Sequence, residues 1–303
     1  MKVSKFMLGA AFVSALFLAS CADISTSDSE SADTESSRAA TSTTVSTESA
    51  LISAIKNASA GSTIKLGANI KLTKQLQLLT SGTSSKKINF NGNGKTLDCS
   101  GISSGWGVKV NGSYWNITNL TVTKAPDCGM VLQSGGNNYV ASCKFTYNGD
   151  SGLQVYNSAH DNYIYKCESY YNYDSANGGE NADGFACKLS GGKNNKYYGC
   201  IAKYNSDDGW DLYSQPYTVT IDSCTASYNG YRSSSLNTTK NGDGNGFKLG
   251  SSKAKVSHTL KNSTATYNLK YGVDANGNTA KMSFSNNTVK NNKEGQISSR
   301  TSY

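Results

Sequence analysis

The chain is 303 residues long, with a formal net charge of +8, 30 glycines, 19 tyrosines and only two prolines. That composition, rich also in Asn, Ser and Thr, argues against a helical protein, while length alone leaves one or two domains open. The basic balance suits a polyanionic partner, but no nucleic-acid recognition motif accompanies it, so nucleic acid is not expected.

At the N-terminus, Met1, Lys2 and Lys5 precede an apolar run from Phe6 to Leu18. The run is too short to cross a bilayer comfortably and has the form of a signal peptide, residues 1–20. It ends in Leu18-Ala19-Ser20-Cys21, which resembles a bacterial lipoprotein signal. That resemblance implies cleavage before Cys21 and lipid on its sulfur. The product would be extracytoplasmic, tethered to a membrane only by its lipid, at the cell surface or facing the periplasm; release as a secreted protein is the alternative. Residues 21–46 are mostly Ser, Thr, Ala and acids, too polar to offset their ordering entropy, so a disordered tether is expected. With the tether and signal charges set aside, 26 basic and 16 acidic residues remain, a net of +10.

From residue 47 to 303 a single domain is expected. Residues 47–58 have a helical pattern, with Thr47 or Ser46 as cap and Leu51, Ile52 and Ile55 on one face. Strands follow at Thr63–Leu66, Lys87–Phe90 and Val108–Val110. A repeat then sets in: Cys143 to Asn148, Cys167 to Asn172, Cys200 to Asn205, Cys224 to Asn229, Ser263 to Asn268, and, with the same spacing, Asn286 to Asn291. Glycines open short strands after these asparagines, at Gly152, Gly209, Gly272 and Gly295. The undisturbed period of about 24 residues suits one coil of an all-β, right-handed parallel β-helix, with the helix at 47–58 closing its open end. In that fold the asparagines stack from coil to coil. The cysteines face inward as thiols; disulfides between coils are the rival reading, opposed by parallel Cβ vectors.

Two repeats are interrupted at the same turn. Asn172 reaches Gly184 after twelve residues and Asn229 reaches Gly246 after seventeen, where the others need four. Such insertions build a binding face. Aligning the glycines places Asp183 and Asp208 in one column, Asp207 beside Asp208, and Lys248 over Asp211. Four carboxylates so close repel unless a cation joins them, and calcium suits an all-oxygen, flexible shell better than magnesium or zinc. A solvated acidic turn is the plain alternative. Lys248 beside bound calcium would have its charged form disfavoured, which suits a general base; a surface ion pair is its plain alternative.

Asn181-Ala182-Asp183-Gly184-Phe185, then Asn205-Ser206-Asp207-Asp208-Gly209-Trp210-Asp211, then Gly244-Asn245-Gly246-Phe247-Lys248 together resemble polysaccharide lyase family 9, over most of the chain after residue 60. The resemblance implies calcium-dependent cleavage of pectate by β-elimination. It assigns Asp183, Asp207, Asp208 and Asp211 as calcium ligands and Lys248 as the base that removes the C5 proton of a galacturonate. Phe185, Trp210 and Phe247 fall on one column and are expected to pack inward. Arg232, Lys240 and Lys270 are candidates for holding neighbouring galacturonates of an acidic polysaccharide, and a monomer is expected. Two alternatives stay open: a β-helix lyase acting on another polyuronate, and a non-catalytic glycan-binding solenoid stapled by calcium. A glycoside hydrolase would use paired carboxylates, but the Gly-His-Gly and Arg-Ile-Lys motifs of the pectin-cleaving β-helix hydrolases are missing; the histidines are His160 and His258.

Overall fold

The computed structural model describes residues 39–238 and 240–303. Cys21, the signal segment and the tether up to residue 38 lie outside the described residues. The rest is a right-handed parallel β-helix with three strand faces, termed sheets A, B and C, of which A and B are joined into one 17-stranded sheet by the long strands Ile88–Asp98 and Trp115–Thr123. Sheet A runs from Ser42–Val45 to Ser283–Ser285, sheet B from Ile70–Lys71 to Thr288–Lys290, and nine-stranded sheet C from Leu76–Leu78 to Gly295–Ile297. One coil is Tyr163–Tyr165 in sheet A, Glu168–Tyr170 in sheet B and Phe185–Cys187 in sheet C. Strands this short make few hydrogen bonds within a coil, so stability comes from stacking each coil on the next.

The core is built by alternation. In sheet C, Phe185, Trp210 and Phe247 point inward, fully buried, with ring centroids 4.9 and 5.0 Å apart along the axis. Tyr197 from sheet A meets Trp210 edge-on at 6.2 Å. Cys143, Cys167, Cys200 and Cys224 stack as buried free thiols, and Cys99, Cys128 and Cys187 are buried free thiols at other positions. At the open end lies one helix, Glu48–Lys56, capped by the Thr47 side chain, which accepts from the Ala50 N–H. Leu51 and Ile55 are buried beneath it.

The corner between sheets B and C matters most for the site. Five successive sheet B strands, from Lys144–Thr146 to Thr264–Thr266, are each followed by a tyrosine with positive φ, namely Tyr147, Tyr171, Tyr204, Tyr228 and Tyr267. Left-handed backbone is costly for a side chain of this size, but these rings stack on one another at 5.1–5.3 Å. The next residue is a buried asparagine. Asn148, Asn172, Asn205, Asn229 and Asn268 each donate from Nδ2 to the Oδ1 of the asparagine on the following coil, over 2.7–3.0 Å, and their backbone N–H groups donate to the same oxygens. The ladder satisfies side chain and turn backbone together, which is why buried amides are tolerated here.

The structure departs from the sequence reading at both ends. Ser42–Val45 pairs in parallel with Thr63–Leu66, so sheet A begins inside the segment expected to be a tether. Thr43, Thr44 and Val45 are β-branched, and Val45 is buried. In the last coil the ladder residues are Asn287 and Asn292, not Asn286 and Asn291: Ser263 N–H donates to Asn287 Oδ1 and Asn268 N–H to Asn292 Oδ1. Adjacent Asn-Asn pairs hid the slip, because Asn286 and Asn291 suit the preceding left-handed position (φ 54° and 57°). Gly295 therefore pairs with Tyr271, and Gln296 stands where the glycine column would continue.

The corrected register is testable. Asn292→Ala orphans the donors of Asn268 and should cost about 1–3 kcal/mol, whereas Asn291→Gly, which accepts the left-handed backbone, should stay within about 0.5 kcal/mol. Urea midpoints of the two variants decide; the reverse ranking would restore the first register.

Candidate active site

Sheet C opens on a glycine column because the chain is crowded there. A Cβ at Gly209 would lie 2.5 Å from Gly246 O and 2.8 Å from Asn229 Nδ2. Only Ser206, Asp207 and Asp208 separate Gly209 from the ladder residue Asn205, so both ends of this acidic turn are held. One residue after the inward aromatics, side chains face outward. Here Ala186 pairs with Asp211, Asp211 with Lys248, and Lys248 with Asp274. The expected alignment is thus realised, and the first insertion returns through Asp183 to Gly184 alongside it.

Asp183, Asp207 and Asp208 bring carboxylate oxygens within 4.8 Å of one another, all three buried. Asp183 Oδ1 accepts from the Asp208 N–H (3.2 Å) and Oδ2 from Ser151 Oγ (3.1 Å). Asp207 accepts from the backbone N–H groups of Asn181 (3.0 Å) and Asp243 (2.5 Å). Asp208 Oδ1 accepts from the Asn245 backbone N–H (2.7 Å) and from Asn245 Nδ2 (2.9 Å). Asp211 stands at the edge of this triad, 3.4 Å from Lys188 Nζ and 3.9 Å from Lys248 Nζ. Lys248 Nζ lies 3.1 Å from Asp208 Oδ2 and 3.2 Å from Asp243 Oδ2; Lys188 Nζ lies 2.8 Å from Asp183 Oδ2.

Burial raises the Asp183 carboxyl to about 8, with Lys188 and Lys248 opposing and Asp211 and Asp208 adding to the rise, and raises the Asp207 carboxyl to about 7, with Asp183 and Asp211 adding and Lys248 opposing. Asp208 is pushed up for the same reasons. Burial lowers the Lys248 amine, but Asp208, Asp211, Asp207 and Asp183 outweigh it and hold the ammonium above the usual lysine range. The fall expected beside bound calcium therefore does not exist in the cation-free arrangement.

Does a cation fit? Fully ionised, the carboxylates of Asp183, Asp207, Asp208, Asp211 and Asp243 outnumber the ammoniums of Lys188, Lys248 and Lys270 by two charges. Asp208 Oδ2 is enclosed and accepts no aligned hydrogen bond. All donors of the triad are oxygens. A hard divalent cation meets each requirement.

Insertion and strand residues enclose a cleft of about 400 Å³, lined among others by Lys188, Asp207, Asp211, Asp243, Lys248 and Asn276. The two insertions close on each other: the N–H groups of Lys240 and Asn241 donate to Gly178 O at 3.0 and 3.1 Å. The Arg232 guanidinium lies 3.8 Å over the Tyr173 ring, Lys240 is exposed, and Lys270 pairs with Asp243. None of these three lines the cleft, although Lys270 reaches its acidic rim. Phe185, Trp210 and Phe247 pack inward as expected. Two residues of the cluster escaped the sequence reading. Asp243 lies inside the seventeen-residue step, where period counting gives no register. Lys188 lies four residues after Gly184, so its outward parity was readable.

Residues 31–301 match the model of the Pel9A-like, right-handed β-helix region. Pectate lyase L of Paenibacillus polymyxa (strain SC2) is 38% identical over 195 residues, 60% of this chain and 43% of that protein. Pectate lyase L of Dickeya chrysanthemi is 35% identical over 191 residues, 63% of this chain and 44% of that protein. The chain thus spans less than half the length of these relatives. The crystal structure of pectate lyase Pel9A superposes with a TM-score of 0.70 at 29% identity, over 82% of this chain and 67% of the other.

An acid whose pKa is raised by folding weakens the fold when it ionises. The folded chain keeps protons that the unfolded chain, near 3.8, has lost, so stability falls as pH climbs from about 4 to about 8. The melting temperature in chelator should accordingly fall between pH 5 and pH 8.5. Calcium should raise it, and by more at pH 8.5, because ligands must be deprotonated to bind. A calcium shift equal at both pH values, measured by scanning fluorimetry, would remove these carboxylates as the site.

Proposed function

Because the chain belongs to the Pel9A-like right-handed β-helix family, we propose that it is a pectate lyase, cleaving polygalacturonate by β-elimination with Lys248 as base. The observation that carries this proposal is the pairing of Lys248 with Asp211 on adjacent coils, which sets an amine at the mouth of a carboxylate triad inside a cleft. Asp183, Asp207, Asp208 and Asp211 would hold calcium. Bound there, calcium would supply positive charge to neutralise the uronate C6 carboxylate and stabilise the charge developing on it.

The chain's own residues do the rest. Lys248 takes the C5 proton on Nζ, the C5–H electron pair becomes the C4–C5 double bond, and the C4 oxygen leaves with the remaining polymer. For this the amine must be uncharged, and the carboxylates around it work against that until positive charge is shared among them. Asp243 orients Lys248 and also anchors Lys270 at the rim, which makes Lys270 the best placed of the three basic candidates for a neighbouring uronate. Arg232 and Lys240 hold the insertion wall and bear on longer substrates. The proposal includes export, with Cys21 as the lipid anchor.

With polygalacturonate and calcium, the wild type should produce the rise in ultraviolet absorbance of an unsaturated uronide, and EDTA should abolish it. Lys248→Ala should lower kcat by about 10²–10⁴-fold while calcium binding persists. Turnover within tenfold of wild type would rule out the base. Cleavage of alginate with polygalacturonate untouched would remove the substrate and leave the base standing.

A further inference from the structure

Lys188 is 8% exposed and follows the strand Phe185–Cys187. Alternation sends Phe185 and Cys187 into the core and Ala186 and Lys188 to the site face. Ala186 is fully buried yet stands apart from the hydrophobic core, so it is covered from outside. The ammonium ends 2.8 Å from Asp183 Oδ2 and 3.4 Å from Asp211 Oδ2, bridging two coils. These oxygens belong to the four carboxylates assigned above to the cation. Asp183 Oδ2 also accepts from Ser151 Oγ, so its lone pairs are already in use.

We propose that Lys188 is a positioning residue that stands in for the cation, holding Asp183 and Asp211 in the cation-free protein and withdrawing from both when a divalent cation binds. The inference rests on the cation reading of the cluster. The two lysines differ in what they keep on withdrawal. Lys248 retains Asp243 at 3.2 Å if it gives up Asp208. Lys188 has ion pairs only to Asp183 and Asp211 among the described residues. Asp150, on the preceding coil, is the nearby carboxylate whose field already reaches it. Cation binding is therefore an exchange of one positive charge for another at the same oxygens, and the ammonium sets its affinity.

Removing the ammonium has two consequences of opposite sign. The cation-free fold loses a counterion, and the incoming cation loses a competitor. A residue that merely packed would weaken both states. In the full chain, Lys188→Met should bind calcium about tenfold more tightly by isothermal titration calorimetry, without substrate, yet melt several degrees lower in EDTA. Lys188→Arg, keeping the charge, should bind close to wild type. Should Lys188→Met not fold in chelator, Lys188→Gln is titrated with the same expectation. Equal or weaker calcium binding in the uncharged variants overturns the proposal. Absence of binding in the wild type itself overturns the cation reading, and this inference with it.

Discussion

The structure depends on successive coils being in register to the residue, and the interaction that enforces this is the asparagine ladder. A parallel sheet tolerates slippage wherever its faces are alike. Here each Oδ1 receives two donors from the coil before it, so a one-residue shift orphans buried groups at the corner on every coil it passes. The inward cysteines, the stacked aromatics and the glycine column all inherit this register. So does the site: Asp207 and Asp208 hang between a ladder asparagine and a glycine with no room to move.

The cluster carries a large electrostatic cost. Burying several carboxylates together is unfavourable, and the fold offsets it with backbone N–H donors and two enclosed lysines. Even so, Asp183 and Asp207 remain far from their ordinary acidity. The strain lies in the charge balance, not in the backbone, and positive charge relieves it. The same carboxylates hold the Lys248 ammonium charged in the cation-free arrangement.

What the sequence revealed followed from periodicity. The glycines and asparagines recur at fixed offsets, so the pairing of Asp211 with Lys248 and the inward column of Phe185, Trp210 and Phe247 could be read by counting. Counting failed where its markers doubled or vanished. Asn286-Asn287 and Asn291-Asn292 offered two registers, and only hydrogen bonding chose between them. Asp243 sits in an insertion without period, and its approach to Lys248 comes from the two insertions docking together. Lys188 was reachable by parity, but the reach of a long side chain across two coils is not a spacing.

The corner between sheets B and C spans the same two fixed points with three residues before Gly209, eleven before Gly184 and sixteen before Gly246. Its endpoints are invariant in space while its length is not. Insertions and deletions at this corner leave the stack undisturbed, whereas a single-residue change inside any strand would not. Changes of length are thereby channelled to the rim above the buried carboxylates: one hinge can lengthen while the groups beneath it stay in place.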